Sequence, residues 1–294
     1  MNKKILITGA EGFTGVHACH WFKQQGYTVY PLGRQPKNQK TIQCDLLLAK
    51  RVEELVGTIQ PDYILHLAGR NDAKSSWGQP VNYIETNVIA SLNILEAVRQ
   101  HIPEAKVLMI GSALEKSTED LPLHPYGLSK TIQALMVKAW AAMYNVKVML
   151  AKPTNLIGPG PSNGICALLA KEITSSLEVD QPIECHVNNI QARRDFIDVR
   201  DAVRAYEMIL TKGDVGKEYQ ISSGQSRSLK EVIEGYQELT KKPIHVIFDK
   251  CEEESPIHMD MTDINALGWE ADIDFMKSLD DILTYHISVK RGES

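Results

Sequence analysis

No stretch of this 294-residue chain is long and apolar enough to cross a bilayer. The opening Met-Asn-Lys-Lys is followed by only Ile5, Leu6 and Ile7 before Thr8 and Gly9, far short of a signal-peptide core. The expectation is a cytoplasmic protein with no membrane partner. Its five cysteines (Cys19, Cys44, Cys166, Cys185 and Cys251) form no Cys-x-x-Cys pair, which speaks against a zinc ribbon or a disulfide framework. His17, His20, His101 and His124 do not fall with carboxylates at ligand spacing, so no metal is expected. Dense basic stretches are missing too: 32 Lys and Arg against 37 Asp and Glu leave a net charge of -5. Phosphate backbones are held mainly by clustered cations, so no nucleic-acid partner is expected. The absence of internal repeats, low-complexity tracts and heptads removes solenoids and coiled coils.

What remains is an ordinary globular composition, 43% hydrophobic and 23% charged, in a chain long enough to bury a large core. Short β-rich runs alternate with longer amphipathic ones, the pattern of a parallel sheet covered by helices. The strands read as Lys4 to Thr8, Thr28 to Leu32, Tyr63 to Leu67, Lys106 to Ile110 and Val146 to Ala151. Ile84, Val88, Leu92, Leu95 and Val98 recur every three or four residues, as do Leu128, Ile132, Leu135, Ala139 and Met143. That spacing predicts two helices, each burying the named face. After Pro153 the pattern loosens into Gly158-Pro159-Gly160-Pro161 and a helix-like stretch around Ile165 to Ile173. Residues 1–153 are therefore read as a dinucleotide-binding core, with 195–224 packing back on it, and 154–294 as mainly a substrate-binding lobe.

Thr8-Gly9-Ala10-Glu11-Gly12-Phe13-Thr14-Gly15 follows the first strand directly and opens a helix. In that context Gly9 permits the tight turn, Gly12 lets backbone approach a pyrophosphate, and Gly15 permits close helix packing while helix amides face the negative charge. The fold class is thus α/β, a doubly wound parallel sheet of Rossmann type with a smaller C-terminal lobe. The second strand ends Pro31-Leu32-Gly33-Arg34, where an acid would usually meet the ribose 2′-hydroxyl of NAD. Arg34 in its place suits a 2′-phosphate, so NADP is the expected cofactor and NAD the alternative. Asp45, in Cys44-Asp45-Leu46, is expected near the adenine.

Tyr126-Gly127-Leu128-Ser129-Lys130 places a phenol and an ammonium on one face at the start of a helix. A phenol with an ordinary pKa near 10 is a poor acid or base at neutral pH, and a neighbouring ammonium stabilises its phenolate. With the glycine loop, His66-Leu67-Ala68-Gly69 and Arg194-Asp195-Phe196-Ile197-Asp198-Val199-Arg200-Asp201, nearly the whole chain resembles the extended short-chain dehydrogenase/reductases. Ser76-Trp77-x-x-Pro80, Thr86-Asn87-Val88-x-x-Ser91-Leu92-Asn93, Lys152-Pro153-Thr154-Asn155-Leu156-Ile157-Gly158-Pro159-Gly160 and Leu267-Gly268-Trp269 are similar to its GDP-mannose 4,6-dehydratase and GDP-6-deoxy-4-keto-mannose reductase branch.

The resemblance implies Ser112, Tyr126 and Lys130 as catalytic residues. It implies cofactor contacts from Gly9, Gly12, Phe13, Gly15, Arg34, Asp45, Leu46, Leu67, Ala68, Gly69, Asn87, Tyr126, Lys130 and Pro153. Nucleotide-sugar contacts are implied for Arg70, Ser112, Asn155 and Arg194, and a homodimer through helices at Ile84 to His101 and Leu128 to Tyr144. The implied activity is reduction of the C4 ketone of a nucleotide-linked 4-keto-6-deoxy sugar, a GDP-sugar favoured. Three departures stand out. Ser112 and Tyr126 are only fourteen positions apart, and Leu114-Glu115-Lys116 replaces the usual Val-Tyr-Gly. Leu114 stands where the branch's dehydratases carry a glutamate for C5. Glu254-Ser255-Pro256-Ile257-His258 stands where the reductases often carry Arg-Pro-x-Asp, whose arginine they direct at the diphosphate. The alternatives are an NAD-dependent 4-epimerase or dehydratase and, in another class, a non-catalytic dinucleotide-binding sensor or partner subunit; Tyr126 and Lys130 both being present speaks against the last.

Overall fold

The computed structural model describes residues 2–36, 38–112, 124–177, 183–256 and 258–292. In chain order the first elements are β1 (Lys4–Thr8), α1 (Phe13–Gln24), β2 (Thr28–Gly33), β3 (Ile42–Gln43), α2 (Ala49–Ile59), β4 (Tyr63–His66), α3 (Ala73–Ser76) and α4 (Pro80–Ile84). A π-helical turn (Glu85–Ile89) leads into α5 (Ala90–His101), β5 (Lys106–Ile110), α6 (Pro125–Tyr144), β6 (Val148–Pro153), β7 (Asn155–Ile157), α7 (Ile165–Ser176) and β8 (Ile183–Asn189). The rest are β9 (Arg193–Asp198), α8 (Val199–Lys212), β10 (Glu218–Ile221), β11 (Ser226–Ser228), α9 (Leu229–Thr240), β12 (Ile244–Lys250), α10 (Thr262–Ala266) and α11 (Phe275–Arg291).

The chain divides into two units. The first holds Met1–Pro153, Val203–Gln220 and Thr262–Trp269; the second holds Thr154–Ala202, Ile221–Met261 and Glu270–Ser294. A seven-stranded sheet in the order β10-β6-β5-β4-β1-β2-β3, with parallel pairs from β6 to β3, is the doubly wound Rossmann sheet expected. Its strands are apolar on both faces because helices cover both: Ile5, Leu6, Ile7, Ile64, Leu65, Val107, Leu108, Val148, Met149 and Leu150 are all buried. The strand order reverses between β1 and β4, the place where such sheets bind ligands at the carboxyl ends of the strands. In the second unit, β11-β9-β7 and the pair β12-β8 pack with α7, α9 and α11 around Phe196, Leu169, Ile173, Tyr236 and Leu279.

β1 and β5 have the predicted bounds, whereas β6 begins two residues later than read. Two helix faces differ from the sequence reading. Along the π-turn and α5 the buried residues include Asn87, Val88, Ser91, Ile94, Leu95 and Val98, with Leu92 only half-buried, because the wider π-turn moves the face out of the simple period. On α6 the expected apolar face is turned outward: Leu128 is 42% exposed, Leu135 46% and Met143 60%. The buried face is instead Tyr126, Gly127, Ser129, Lys130, Gln133, Ala134 and Val137. Polar side chains are tolerated there because they bond one another.

Candidate active site

The turn after β1 carries the phosphate-loop geometry. Gly9 has a φ of +64°, and a Cβ on it would meet the Ala68 backbone nitrogen at 2.9 Å, so the loops after β1 and β4 abut where only hydrogen fits. Gly12 donates its N–H to the Gly9 carbonyl at 3.0 Å and is the N-cap of α1, where it offers no side chain to cap the first amides of that helix. Uncapped amides at a helix N-terminus favour an anion. A Cβ on Gly15 would collide with the Gly9 carbonyl oxygen and lie 2.7 Å from Ala10 backbone, which is why α1 can lie against the loop.

These loops wall a cavity of about 310 Å³. Of the predicted cofactor residues, Gly9, Gly12, Arg34, Asp45, Leu46, Leu67, Ala68 and Gly69 line it, and so does Arg70. Phe13, Gly15, Asn87, Tyr126, Lys130 and Pro153 do not. Phe13 packs edge-on against His17, and Pro153 closes β6. Thr8, Leu32, Gly33, Cys44, Leu47, Thr86 and Ala90 also line the wall and were not among the expected cofactor contacts; for Leu47 the run Leu46-Leu47-Leu48 was the available signal. Asp45 accepts the Leu47 N–H at 3.0 Å and is the one carboxylate among the lining residues. Arg34 is exposed, and its guanidinium makes no ion pair among the described residues. The cradle thus fits a dinucleotide: glycines where backbone must approach, helix N-terminal amides for a pyrophosphate, and a cation at the end of β2.

His124 caps α6, its Nδ1 accepting the Gly127 N–H at 2.9 Å, and Pro125 supplies the favoured first helical residue. Tyr126 (5% exposed) and Lys130 (7%) lie on the buried face. The Tyr126 ring stacks on His124 at 5.8 Å and meets Tyr83 edge-on at 6.2 Å. Lys130 Nζ donates to the Ile110 carbonyl at 2.6 Å and to Gln133 Oε1 at 2.9 Å. The first bond brings the lysine to the end of β5, where buried Ser112 follows. The same Nζ lies 3.8 Å from where a Cβ on Gly69 would sit, at the edge of that cavity. Leu114, Glu115 and Lys116 lie outside the described residues.

Asn87 braces this end of the cavity. Its Oδ1 accepts the Arg70 N–H at 2.7 Å, and its Nδ2 donates to the Arg70 carbonyl at 3.0 Å and to Ser129 Oγ at 2.9 Å, tying the loop after β4 to α6. The Arg70 guanidinium lies over the Tyr83 ring at 5.1 Å.

In the second unit, Asn155 stands opposite Phe196 in the β7–β9 pair and donates to the Asp195 carbonyl at 3.0 Å. Arg194 is half exposed and pairs with Glu254 at 2.9 Å. An acid two residues before Pro256 thus already holds this arginine. Asp195, unflagged by sequence reasoning, is a buried hub whose carboxylate accepts from Thr154 Oγ1, Ser222 Oγ (2.9 Å), Ser223 N (3.0 Å) and Oγ (2.8 Å), and Gln225 N (3.1 Å). Among the described residues no group of three His, Cys, Asp or Glu could hold a metal, and no helix is long and apolar enough to cross a membrane.

Residues 5–222 match the model of the NAD dependent epimerase/dehydratase family. The chain belongs to that family. As a member it is an enzyme of the extended short-chain dehydrogenase/reductase type, served by a nicotinamide dinucleotide. GDP-6-deoxy-D-mannose reductase from Pseudomonas aeruginosa is 26% identical over 302 residues, 97% of each chain. dTDP-glucose 4,6-dehydratase from Haemophilus influenzae is 25% identical over 336 residues, 96% of this chain and 97% of that one. The structure of RMD from Pseudomonas aeruginosa complexed with NADPH superposes with a TM-score of 0.87 at 25% identity, covering 98% of this chain and 100% of that chain. Family relatives thus include both reductases and dehydratases.

Proposed function

We propose that this family member reduces the C4 ketone of a nucleotide-linked 4-keto-6-deoxy sugar, a GDP-sugar by preference, with NADPH. The likeness to the Pseudomonas aeruginosa reductase over 97% of both chains carries the reading. When bound, the dinucleotide supplies a hydride. Ser112 would hold the C4 oxygen by a hydrogen bond, Tyr126 would protonate it, and the Lys130 ammonium would stabilise the phenolate left behind. Arg194, with Asn155 near the same strand, would hold the diphosphate, and Arg70 the sugar end. Leu114, in the place of the dehydratase glutamate, and Arg34, in the place of an NAD-selecting acid, both favour simple reduction over dehydration or epimerisation. The test is a panel of nucleotide 4-keto sugars incubated with NADPH, with products identified by NMR: a C4 alcohol from a GDP-sugar supports the reading, and a dehydrated or epimerised product replaces it.

Arg34 makes the cofactor preference testable. Arg34→Ala should weaken NADP binding by about tenfold, equivalent to 1.4 kcal/mol, and leave NAD binding unchanged. A wild-type protein that holds NAD tighter than NADP would overturn the assignment of Arg34.

The Arg194 and Glu254 pair sets a second expectation. The Glu254 carboxylate, held by Arg194 Nη1, offsets the charge that a diphosphate would meet at this guanidinium. Glu254→Gln should therefore tighten nucleotide-sugar binding several-fold, Arg194→Ala should weaken it, and both should leave NADP affinity alone in calorimetric titrations. Weaker sugar binding by Glu254→Gln would show that the carboxylate contacts substrate.

The outward stripe of Leu128, Leu135 and Met143 on α6 suits a second copy of the chain. Sedimentation should give a homodimer, and Leu135→Asp should return it to monomer. A monomeric wild-type protein would contradict the pairing.

A further inference from the structure

Behind Lys130 lies a row of polar side chains that the chemistry above does not use. Thr8, His66, Ser91 and Gln133 are buried, so their hydrogen bonds must be made within the protein. Ser91 Oγ has one proton, which goes to the Asn87 carbonyl at 2.7 Å. Gln133 Nε2 lies 2.7 Å from the same oxygen and donates to it. His66 Nε2, 3.0 Å away, must donate as well, because the hydroxyl proton is committed. The imidazole is then the Nε2–H tautomer, and its Nδ1 accepts from Thr8 Oγ1 at 2.9 Å. The Thr8 oxygen in turn accepts the Ala68 N–H at 3.0 Å. Burial, with the Lys130 ammonium nearby, pushes His66 down to about 3, so the ring stays neutral.

One orientation of Gln133 follows. With its NH₂ committed to Ser91, its Oε1 faces Lys130 Nζ at 2.9 Å. A flipped amide would set NH₂ against the ammonium and oxygen against an oxygen whose proton points elsewhere.

We propose that Gln133 is a positioning residue for Lys130, its amide locked as an acceptor by a relay through Ser91 and His66 to Thr8 at the end of the phosphate-loop strand. Gln133 and the Ile110 carbonyl together take two of the three ammonium protons, which fixes the rotation of the ammonium and the direction of the third N–H. The inference rests on the reading of Lys130 as the partner of Tyr126.

Gln133→Met preserves length and burial but removes the acceptor. It should lower kcat by roughly 10- to 100-fold, the scale of a small misplacement of a catalytic group, with KM for the keto sugar nearly unchanged. Ser91→Ala, which frees the amide to flip, should lose less, and the double variant should be no worse than Gln133→Met alone, since both act through one lysine. Apart from turnover, the crystal structure of Gln133→Met apoprotein should show Lys130 Nζ off the Ile110 carbonyl. Unchanged kcat, multiplicative losses in the double variant, or a lysine that stays in place would each overturn the proposal. Should Gln133→Met fail to fold, the Ser91→Ala structure decides it by the Gln133 amide and Lys130 position. A wild-type protein inert toward every keto sugar would sink the substrate reading only, leaving the lysine's position to decide this one.

Discussion

Tyr126→Phe should fold, bind the dinucleotide as wild type does, and lose turnover by roughly 10²- to 10⁴-fold, the usual contribution of a positioned general acid. The substitution keeps the ring that stacks on His124 and meets Tyr83 edge-on, so packing in the first turn of α6 survives. Only the hydroxyl, with its exchangeable proton, is deleted. Lys130→Ala should differ in kind: it removes a buried ammonium beside Gly69, at the edge of the cavity proposed for the dinucleotide, so dinucleotide affinity should fall along with rate. Steady-state kinetics beside fluorescence titration of NADPH separates the two. Retention of more than about a tenth of wild-type turnover by Tyr126→Phe would mean that another group supplies the proton.

Gly15→Ala should cost both stability and cofactor. The added methyl would collide with the Gly9 carbonyl oxygen and approach Ala10 backbone to 2.7 Å, and backbone on both sides cannot rotate away. Relief requires α1 to shift off the loop after β1, and overpacking of this kind costs about 1–3 kcal/mol. The shifted amides are those proposed to receive the pyrophosphate, so NADPH affinity should drop by about ten- to a hundredfold, at 1.4 kcal/mol per decade. Gly12→Ala is the control for folding, because its methyl would meet only the Gly9 carbonyl oxygen, at 3.2 Å. Thermal melts should show Gly15→Ala well below wild type and Gly12→Ala close to it; equal melting temperatures for all three would contradict the packing role of Gly15.

The sheet and the phosphate loop were legible in the sequence because each has a local cause. Buried parallel strands are continuous apolar runs such as Lys4–Thr8 and Lys106–Ile110, and the glycine spacing is dictated by backbone approach. The faces of α6 were not. Periodicity finds an apolar stripe on Leu128, Leu135 and Met143 but cannot say whether the fold covers it, and here the covered face is the polar one. That face is stable because Gln133 and Ser91 satisfy each other across 42 positions of sequence, and Asn87 and Ser129 across another 42. Pairings so distant leave no mark in local spacing. The same holds for Asp195, whose partners Thr154, Ser222 and Ser223 are gathered only by the fold, and for Glu254, whose role toward Arg194 needed coordinates to be seen.

Hydride transfer to C4 is the center of the account, and isotope tracing tests it most directly. The protein would be incubated with NADPH carrying deuterium at the transferable C4 position and with a GDP-linked 4-keto-6-deoxy sugar, and the product examined by NMR. One deuterium at sugar C4 per NADPH oxidised is predicted, with none formed by Tyr126→Phe on the same timescale. An unlabelled C4, or deuterium at any other sugar carbon, would contradict it.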